Sequence, residues 1–258
     1  MSRLVVKVGS NVLTRQDGTL DVTRVSSLVD QISSLKAEGN EIILVTSGAV
    51  ACGRSILGPE AGLDSVELRQ VYAAVGQVRL MDLYHTLFGN YSLNVGQVLT
   101  VKENFAPGRA YSNQKSCMEA MLKSGVIPIV NENDTVSITE LMFTDNDELS
   151  GLVATMMGAE ALVILSNING LYDSDPSEPQ AKVIRKVRPS DNLDSCVLPS
   201  KSSAGRGGME SKYRTARSVA ASGIRVFIAN GKTDGIIRSV LEGNAEIDYT
   251  EFEPGDIS

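Results

Sequence analysis

Short apolar runs alternate with amphipathic stretches along most of the chain. The apolar runs have the length of buried strands, and they cover Leu4–Val8, Glu41–Thr46, Asn94–Thr100, Val126–Val130, Ala161–Leu165 and Arg225–Ala229. Apolar residues at helical spacing predict helices over Asp21–Gly39, Ser65–Phe88 (as one helix or two), Tyr111–Lys123, Leu149–Met157, Glu210–Ser222 and Thr233–Leu241. Strands that alternate with helices usually pair in parallel and are covered on both faces. The pattern therefore predicts an α/β fold, and with no shift in composition along the chain we expect one domain.

Polar residues crowd the segment that follows the fourth apolar run. Asn131–Asp134 come directly after that run, and Asp145–Glu148 precede the helix predicted from Leu149. Carboxylates and amides packed this closely are costly unless each group finds a partner. The cluster is therefore either capping for the next helix or a binding site, and its spacing leaves both open. A hairpin over Val136–Phe143 would bring Asp134 near Asn146.

Two loops at predicted strand ends are candidates for contact with a ligand. Lys7 lies just before a tight loop at Gly9–Asn11, where it is either an edge residue or points into the crevice in which parallel sheets bind ligands. Ser47–Arg54 joins the second strand to a helix and consists mostly of small residues. Such residues let a ligand approach the backbone, although close packing of helix on sheet explains them equally well.

A glycine-rich turn opens the helix predicted from Glu210. Gly205–Lys212 fails the P-loop pattern because Ser211 precedes Lys212, and it fails G-x-G-x-x-G because Glu210 replaces the third glycine. A donor-rich turn with a lysine in the first helical turn nevertheless suits phosphate, with a mobile linker as the alternative. Lys7 and Lys212, with an acidic and amide cluster between them in sequence, suggest phosphoryl transfer. A carboxylate acceptor would be ionised at neutral pH and would need no general base.

Composition narrows the classes of partner. The 258 residues carry a net charge of −7, which argues against a nucleic-acid partner. No apolar run reaches the roughly 20 residues of a membrane span, and the first residues do not read as a signal peptide. Three cysteines, at Cys52, Cys117 and Cys196, form no C-x-x-C pair, as is typical of reduced cytoplasmic thiols. The only histidine, His85, lies in a helical stretch, so a Ser-His-Asp hydrolase has little support.

Six motifs in one order resemble the amino acid kinase family and, within it, the glutamate 5-kinases. They are Val6–Ser10, Val45–Arg54, Ala74–Gln77, Val130–Asp134, Asp145–Asp147 and Gly205–Lys212, and the resemblance extends across essentially the whole chain. Each motif alone is modest, but six in the right order are highly specific. The resemblance implies a three-layer αβα sandwich around a largely parallel sheet. It further implies a single kinase domain over residues 1–258, in which residues 1–165 bind the acceptor and residues 166–258 bind the nucleotide.

The resemblance also implies a reaction and roles for individual residues. ATP would phosphorylate the side-chain carboxylate of L-glutamate to give L-glutamyl 5-phosphate, the first step of proline biosynthesis. Lys7 and Lys212 would stabilise the transferring phosphoryl group, and Asp147 would hold both lysines. The implied glutamate-binding residues are Ser47, Asp134 and Asn146, and the implied ATP-binding residues are Lys7, Ser166, Asn167, Arg206, Gly207, Gly208, Met209, Glu210, Ser211 and Lys212. The other polar residues of the cluster are expected only to cap the following helix and to support the local structure. They are Glu132, Asn133, Asp145 and Glu148.

Further properties are implied in the same way. ATP would be the co-substrate, Mg²⁺ would be held mainly by its phosphates, proline would inhibit by feedback, and the protein would form a homo-oligomer, a dimer or tetramer. The chain departs from the family at Ser166–Asn167, where many relatives have Thr-Asp, and at Arg206, where a small polar residue is common. The nucleotide preference is open at these positions. We expect a short form without the C-terminal PUA domain of many relatives, and so no argument for RNA binding.

Two alternatives compete with this interpretation. The first is a kinase of the same family that acts on N-acetylglutamate, aspartate or an isopentenyl phosphate. The last of these would be expected to place a histidine in the acceptor site, and His85 lies in no such motif; aspartokinases usually open with Lys-Phe-Gly-Gly, which this chain lacks. The second is a non-catalytic sensor of nucleotide or amino acid, against which the retention of Lys7, Asp147 and Lys212 argues.

Overall fold

Eight strands form one sheet in the structure, a computed structural model that describes residues 1–59, 62–137, 143, 145–193 and 208–255. The strands are β1 (Arg3–Val8), β2 (Glu41–Val45), β3 (Val95–Thr100), β4 (Ile127–Glu132), β5 (Ala161–Ser166), β6 (Lys186–Val187), β7 (Arg225–Asn230) and β8 (Tyr249–Phe252). Their order across the sheet is β3-β4-β2-β1-β5-β7-β8-β6. All neighbours pair in parallel except β7 and β8, which are antiparallel.

Eight α-helices connect these strands in the described residues. They are α1 (Ser10–Leu13), α2 (Val22–Ala37), α3 (Ala49–Leu57), α4 (Ser65–Gly89), α5 (Arg109–Lys123), α6 (Asn146–Met157), α7 (Met209–Ala221) and α8 (Ile236–Glu242), with a 3₁₀ turn at Lys102–Phe105. Local chemistry explains several helix starts. Asp21 accepts a hydrogen bond from the backbone of Arg24 at the start of α2, and Asp64 and Glu67 form a reciprocal capping box at the start of α4.

Two apolar cores lie on opposite faces of the sheet. Alternate residues of a strand point to opposite faces, so Leu4, Val6 and Val8 of β1 belong to one core, while Val5 belongs to the other. Helices α2, α4 and α8 cover the first face, and helices α5, α6 and α7 cover the second. The predicted α/β fold with helices on both faces of a largely parallel sheet is therefore confirmed.

The carboxyl ends of the four central strands meet at one edge of the sheet. Because β4, β2, β1 and β5 are parallel neighbours, the last residues of these strands and the residues just after them lie side by side. These are the cluster that begins at Asn131, the Thr46–Gly48 turn, the Gly9 turn after Lys7, and Ser166. This edge is where open parallel sheets bind their ligands.

Several details differ from the sequence prediction. Gly9–Asn11 is not only a loop, because Ser10 and Asn11 begin the short helix α1. Strand β8 was not predicted; its residues form only a short run, and it pairs antiparallel to β7. Residues 65–89 form a single helix and not two, which confirms the first of the two alternatives predicted for this stretch. Most of the proposed hairpin at Val136–Phe143 lies outside the described residues.

Helices α3 and α4 approach each other at two glycines. A Cβ atom at Gly76 would lie 1.8 Å from the carbonyl oxygen of Ala49, and one at Gly53 would lie 1.9 Å from the carbonyl oxygen of Tyr72. The two backbones are therefore in direct contact, which only residues without a side chain allow. Since α3 begins two residues after Ser47, this contact sets the position of the turn that ends β2.

Among the described residues, every helix is too short or too polar to cross a lipid bilayer.

Candidate active site

Lys7, Asp147 and Lys212 form a buried ion cluster at the edge described above. Lys7 projects from β1, Asp147 from the first turn of α6 and Lys212 from the first turn of α7. Lys7 Nζ lies 2.5 Å from Asp147 Oδ1, and Lys212 Nζ lies 3.0 Å from Asp147 Oδ2. The structure thus brings together three residues that come from opposite ends and the middle of the chain. One carboxylate, Asp147, thus holds two ammonium groups at this edge, and two cations at one site can face a bound anion.

The ionisation of Asp147 depends on these lysines. Burial acts to raise the pKa of its carboxyl group, but the charges of Lys7 and Lys212 together outweigh burial and hold the pKa below its usual value. Asp147 therefore remains a carboxylate at neutral pH. It can orient both lysines, but it is poorly suited to accept a proton.

Asp145 caps the helix that carries Asp147. Its Oδ1 accepts hydrogen bonds from the backbone N–H groups of Asp147 at 2.8 Å and Glu148 at 3.0 Å. Burial, and then the charge of Asp147, raise the pKa of Asp145. The capping role expected for Asp145 is confirmed, and α6 begins at Asn146, three residues earlier than predicted.

A chain of polar side chains links Asn146 to the ends of β2 and β4. Asn146 Nδ2 lies 2.8 Å from the carbonyl oxygen of Thr46, 2.9 Å from Ser47 Oγ and 3.0 Å from Asn131 Oδ1. Asn131 in turn donates from Nδ2 to Gln77 Oε1 at 3.0 Å. Ser47 and Asn146, both predicted as acceptor-binding residues, are therefore in contact. Gln77, inside a motif quoted above, was given no role by sequence reasoning.

Asp134 and Glu132 form an acidic pair with one cation. Arg69 of α4 donates to Asp134 from Nη2, and from Nε at 3.0 Å, and it also lies 3.4 Å from Glu132 Oε2. Burial raises the pKa of Glu132, and the charge of Asp134 adds to this shift. Sequence reasoning missed Arg69, since a basic residue on the first turns of an amphipathic helix gives no signal until the fold places it opposite β4.

Glu132 also supports the local backbone. Its Oε1 accepts hydrogen bonds from Ser137 Oγ at 2.7 Å and from the backbone N–H of Phe143 at 3.2 Å. The supporting role expected for Glu132 is thus observed. The direct approach of Asp134 to Asn146, expected from a hairpin, stays a prediction.

The predicted nucleotide residues lie on the neighbouring strand and helix. Ser166 ends β5 and is buried, while Asn167 is exposed, and the Ser166 hydroxyl donates to Asn167 Oδ1 at 3.4 Å. Gly208 is the N-cap of α7 and offers no side chain to the free N–H groups of the first turn, which are available to an anion. Arg206 and Gly207 lie outside the described residues.

Met209, Glu210 and Ser211 form the first turn of α7 together with Lys212. The side chain of Glu210 is paired with Arg214 at 2.6 Å on the surface. Contact between Glu210 and a phosphate would therefore use its backbone N–H.

A cavity of about 450 Å³ lies beside the acidic pair. Most of its wall is apolar and comes from α4 and β3, and its polar wall includes Gln77, Glu132 and Asp134. Its size is within the usual range of pockets for small molecules.

The sequence is similar to a well-defined family. A model of the amino acid kinase family matches residues 2–230. A glutamate 5-kinase of Bacteroides thetaiotaomicron is 57% identical over 253 residues, which is 98% of this chain and 70% of that protein. A glutamate 5-kinase of Chlorobaculum tepidum is 47% identical over 242 residues, which is 93% of this chain and 66% of that protein. The chain thus spans about two thirds of the length of these relatives.

Solved structures share the fold at low sequence identity. The isopentenyl phosphate kinase of T. acidophilum aligns with a TM-score of 0.70 at 14% identity, covering 98% of this chain and 100% of that one. The carbamate kinase of Giardia lamblia aligns with a TM-score of 0.69 at 16% identity, covering 98% and 99%. At these identities the likeness concerns the fold alone.

Proposed function

The chain belongs to the amino acid kinase family, and we propose that it transfers the γ-phosphoryl group of ATP to the side-chain carboxylate of L-glutamate. The products are ADP and L-glutamyl 5-phosphate, and the reaction is the first step of proline biosynthesis from glutamate. The observation that carries this proposal is the buried contact of Asp147 with both Lys7 and Lys212. The names of the relatives, glutamate 5-kinases, support the choice of acceptor.

The two lysines supply electrostatic stabilisation. A phosphoryl group in transfer spreads negative charge over its oxygens, and catalysis consists mainly of positioning and neutralising that charge. Lys7 would contact the ATP phosphates, and Lys212 would provide the second charge. Because all three side chains of the cluster are buried, their charges are screened less than in water. Asp147 keeps both ammonium groups in place before ATP arrives.

The acceptor side fits an amino acid with a free α-ammonium group. Among the described residues, two carboxylates, Glu132 and Asp134, pair with one cation, Arg69, so these side chains carry a net negative charge. An α-ammonium group would balance that charge, whereas the acetylated nitrogen of N-acetylglutamate carries no charge to do so. Asp134 would hold the ammonium group, and Ser47 and Asn146 would hold the acceptor in line with the phosphoryl group. The carboxylate that attacks is already ionised and needs no general base.

The nucleotide would lie across the ends of β5 and β7. The free N–H groups at the start of α7, with Lys212, suit the phosphates, and Ser166 and Asn167 would contact the nucleotide. Arg206 and Gly207 complete the proposed ATP-binding segment Arg206–Lys212 by resemblance. In this arrangement residues 1–165 bind glutamate and residues 166–258 bind ATP.

Mg²⁺ would accompany ATP. The described residues contain no group of three or more acidic, histidine or cysteine side chains that could hold a metal ion, and Mg²⁺ often reaches kinase sites on substrate phosphates with few protein ligands. We therefore propose that the phosphates hold Mg²⁺, which would draw negative charge from the transferring group. By its resemblance to the family, the protein would also form a homo-oligomer, a dimer or tetramer, and proline would inhibit it. Its net charge of −7 argues against a nucleic-acid partner, and a cytoplasmic location stays part of the proposal.

A panel of acceptors tests the proposed function. ADP release is measured with glutamate, N-acetylglutamate, aspartate and UMP, and hydroxylamine traps any acyl phosphate as a hydroxamate. We expect hydroxamate from glutamate alone. Hydroxamate from N-acetylglutamate and none from glutamate would refute the assignment, and phosphorylation of UMP would move the protein to another branch of the family.

A further inference from the structure

Gln77 has a buried amide nitrogen that makes no hydrogen bond to the described residues. The residue is 8% exposed, and Nε2 is among the few buried polar atoms without a partner in the described part of the chain. An unpaired buried donor destabilises a folded protein, so such groups are rare and usually have a function. Gln77 lies in the middle of α4, where an apolar residue would fill the same space without this cost.

The orientation of the Gln77 amide follows from its neighbours. The Thr46 carbonyl can only accept, so the atom of Asn146 that faces it must be Nδ2. The backbone N–H of Glu132 can only donate, so the atom of Asn131 that faces it at 2.9 Å must be Oδ1.

These two assignments agree, because Asn146 Nδ2 then donates to Asn131 Oδ1. Asn131 Nδ2 consequently points to Gln77, which must accept through Oε1. The remaining atom of the Gln77 amide, Nε2, is therefore a donor that the surrounding network leaves free.

Gln77 and the acidic pair share one cavity. Gln77, Glu132 and Asp134 all line the cavity of about 450 Å³ between α4, β3 and the end of β4. The negative pair suits an ammonium group. Gln77 Nε2 itself has almost no exposed surface, so the amide would have to shift toward a bound acceptor, whose carboxylate oxygen suits its free N–H. In an α-amino acid these two groups are attached to the same carbon atom, so they must find their partners within a few ångströms of each other.

We propose that Gln77 is a specificity residue that donates from Nε2 to the α-carboxylate of the amino-acid acceptor. This inference rests on the proposed function, because it identifies the α-carboxylate as the group of glutamate that the cavity would recognise. Arg69, the nearby cation, is already paired with Asp134 and Glu132. A neutral donor can bind the α-carboxylate without disturbing that pair.

The same amide also positions a second acceptor residue. Through Oε1, Gln77 holds Asn131, and Asn131 holds Asn146 beside Ser47. Gln77 thus connects recognition of the α-carboxylate with the placement of the residues that hold the reacting carboxylate.

Substitution Gln77→Glu separates the two functions. The carboxylate keeps an oxygen that can accept from Asn131, but it replaces the free donor with a charged acceptor. Rates are measured with L-glutamate and with L-isoglutamine, in which the α-carboxylate is a carboxamide and the side-chain carboxylate is unchanged. For the variant, kcat/KM for glutamate should fall about tenfold or more, and the ratio of isoglutamine to glutamate should rise, because the carboxamide can donate to Glu. An equal fall for both acceptors would show a purely structural role and overturn the proposal.

A second variant tests the loss of the donor without a change in charge, and a control tests the change in charge alone. Gln77→Met removes the donor without adding charge, and it should weaken glutamate more than 4-aminobutyrate, which has no α-carboxylate; equal weakening would again overturn the proposal. Lys123→Gln is the control for Gln77→Glu, because each substitution lowers the net charge by one. Lys123 is exposed at the end of α5, near the start of β4, and so lies at the opposite edge of the sheet. This control substitution should leave both acceptors unchanged. If the wild-type protein does not phosphorylate glutamate, the proposed function fails, whatever the variants do.

Discussion

Lys7 and Asp147 are distant in sequence, yet Nζ of Lys7 lies 2.5 Å from Oδ1 of Asp147. The contact is buried, with side-chain exposures of 6% and 1%. Charges buried to this degree are tolerated only when they are paired. The same carboxylate also contacts Lys212, so one side chain connects the first strand with the helix that follows the glycine-rich segment.

Asp147→Asn should destabilise the protein because it leaves two buried ammonium groups without their carboxylate. We expect the free energy of unfolding to fall by roughly 3–5 kcal/mol, the usual effect of breaking a buried pair. Urea denaturation at neutral pH measures the change. Asp248→Asn, which breaks the exposed pair with Arg185, should cost less than about 1 kcal/mol. Equal losses in the two variants would contradict the structural role of Asp147.

Lys212→Ala should lower kcat far more than it raises the KM for glutamate. Its charge would act on the transferring phosphoryl group, so its loss should reduce kcat by about 100-fold or more. Steady-state kinetics with both substrates varied measure the effect. Lys186→Ala, on the exposed edge strand β6, is the matched control and should retain wild-type kcat. A normal kcat in Lys212→Ala would refute its catalytic role.

Asp134→Ala should chiefly weaken glutamate binding. The change removes one of the two carboxylates that would face the α-ammonium group, so the KM for glutamate should rise about tenfold or more while the KM for ATP changes little. Asp82→Ala, which removes an exposed carboxylate paired with Arg79 on α4, should leave both constants unchanged. An unaltered KM for glutamate in Asp134→Ala would show that the acidic pair does not bind the acceptor.

Gly76→Ala should disturb both stability and acceptor binding. The new Cβ would lie 1.8 Å from the carbonyl oxygen of Ala49, so α3 and α4 must separate and the Ser47 turn must move. We expect a loss of roughly 1–3 kcal/mol in unfolding free energy, as in other overpacked sites, together with a raised KM for glutamate.

Gly89→Ala is the control for the same substitution in the same helix. A Cβ atom at Gly89 meets no atom within 4 Å, so alanine should be neutral or stabilise by up to about 1 kcal/mol. If Gly76→Ala behaves like Gly89→Ala, the helix contact is less tight than the structure shows.

Glu132→Gln should change stability in a pH-dependent manner. Burial raises the pKa of Glu132 in the folded protein above 4.5, so the folded state holds this proton more tightly than the unfolded state. Its charged form therefore destabilises the folded protein at pH values above the folded pKa, and the penalty disappears as the pH falls through that pKa toward 4.5. The difference in unfolding free energy between Glu132→Gln and wild type should be largest at neutral pH and shrink below it. A difference that stays constant from pH 7 to pH 4.5 would contradict the raised pKa.

Much of the fold could be predicted from periodicity. Buried strands such as β1 and β5 are short apolar runs, and helices such as α2 show apolar residues on one face, so both types were identified with ends within a few residues of those observed. Strand β8 could not be predicted in this way, because its apolar run is short and its stability comes from pairing with β7. Pairing is a tertiary property that a local pattern does not report.

The sequence likewise identified some residues of the candidate site and not others. Motifs near Lys7, Asp147 and Lys212 are local in sequence, and the resemblance to a family of kinases gave each residue an expected role. Arg69 and Gln77 lie on helix α4, which has apolar residues on its exposed side as well as its buried side, and periodicity does not tell which of its residues face a cavity.

The sequence by itself determined the parallel α/β class, the order of the elements and the residue types at the strand ends. The contact of Asp147 with both lysines was implied by the resemblance to a family. Only the tertiary structure decided that Arg69 would pair with Asp134 and that Gln77 would keep a free donor. The physical reason is that a parallel sheet gathers the carboxyl ends of strands from distant parts of the chain at one edge. The direction of the hydrogen bonds and the balance of charge among these side chains are defined only in the folded structure, where the strand ends lie together.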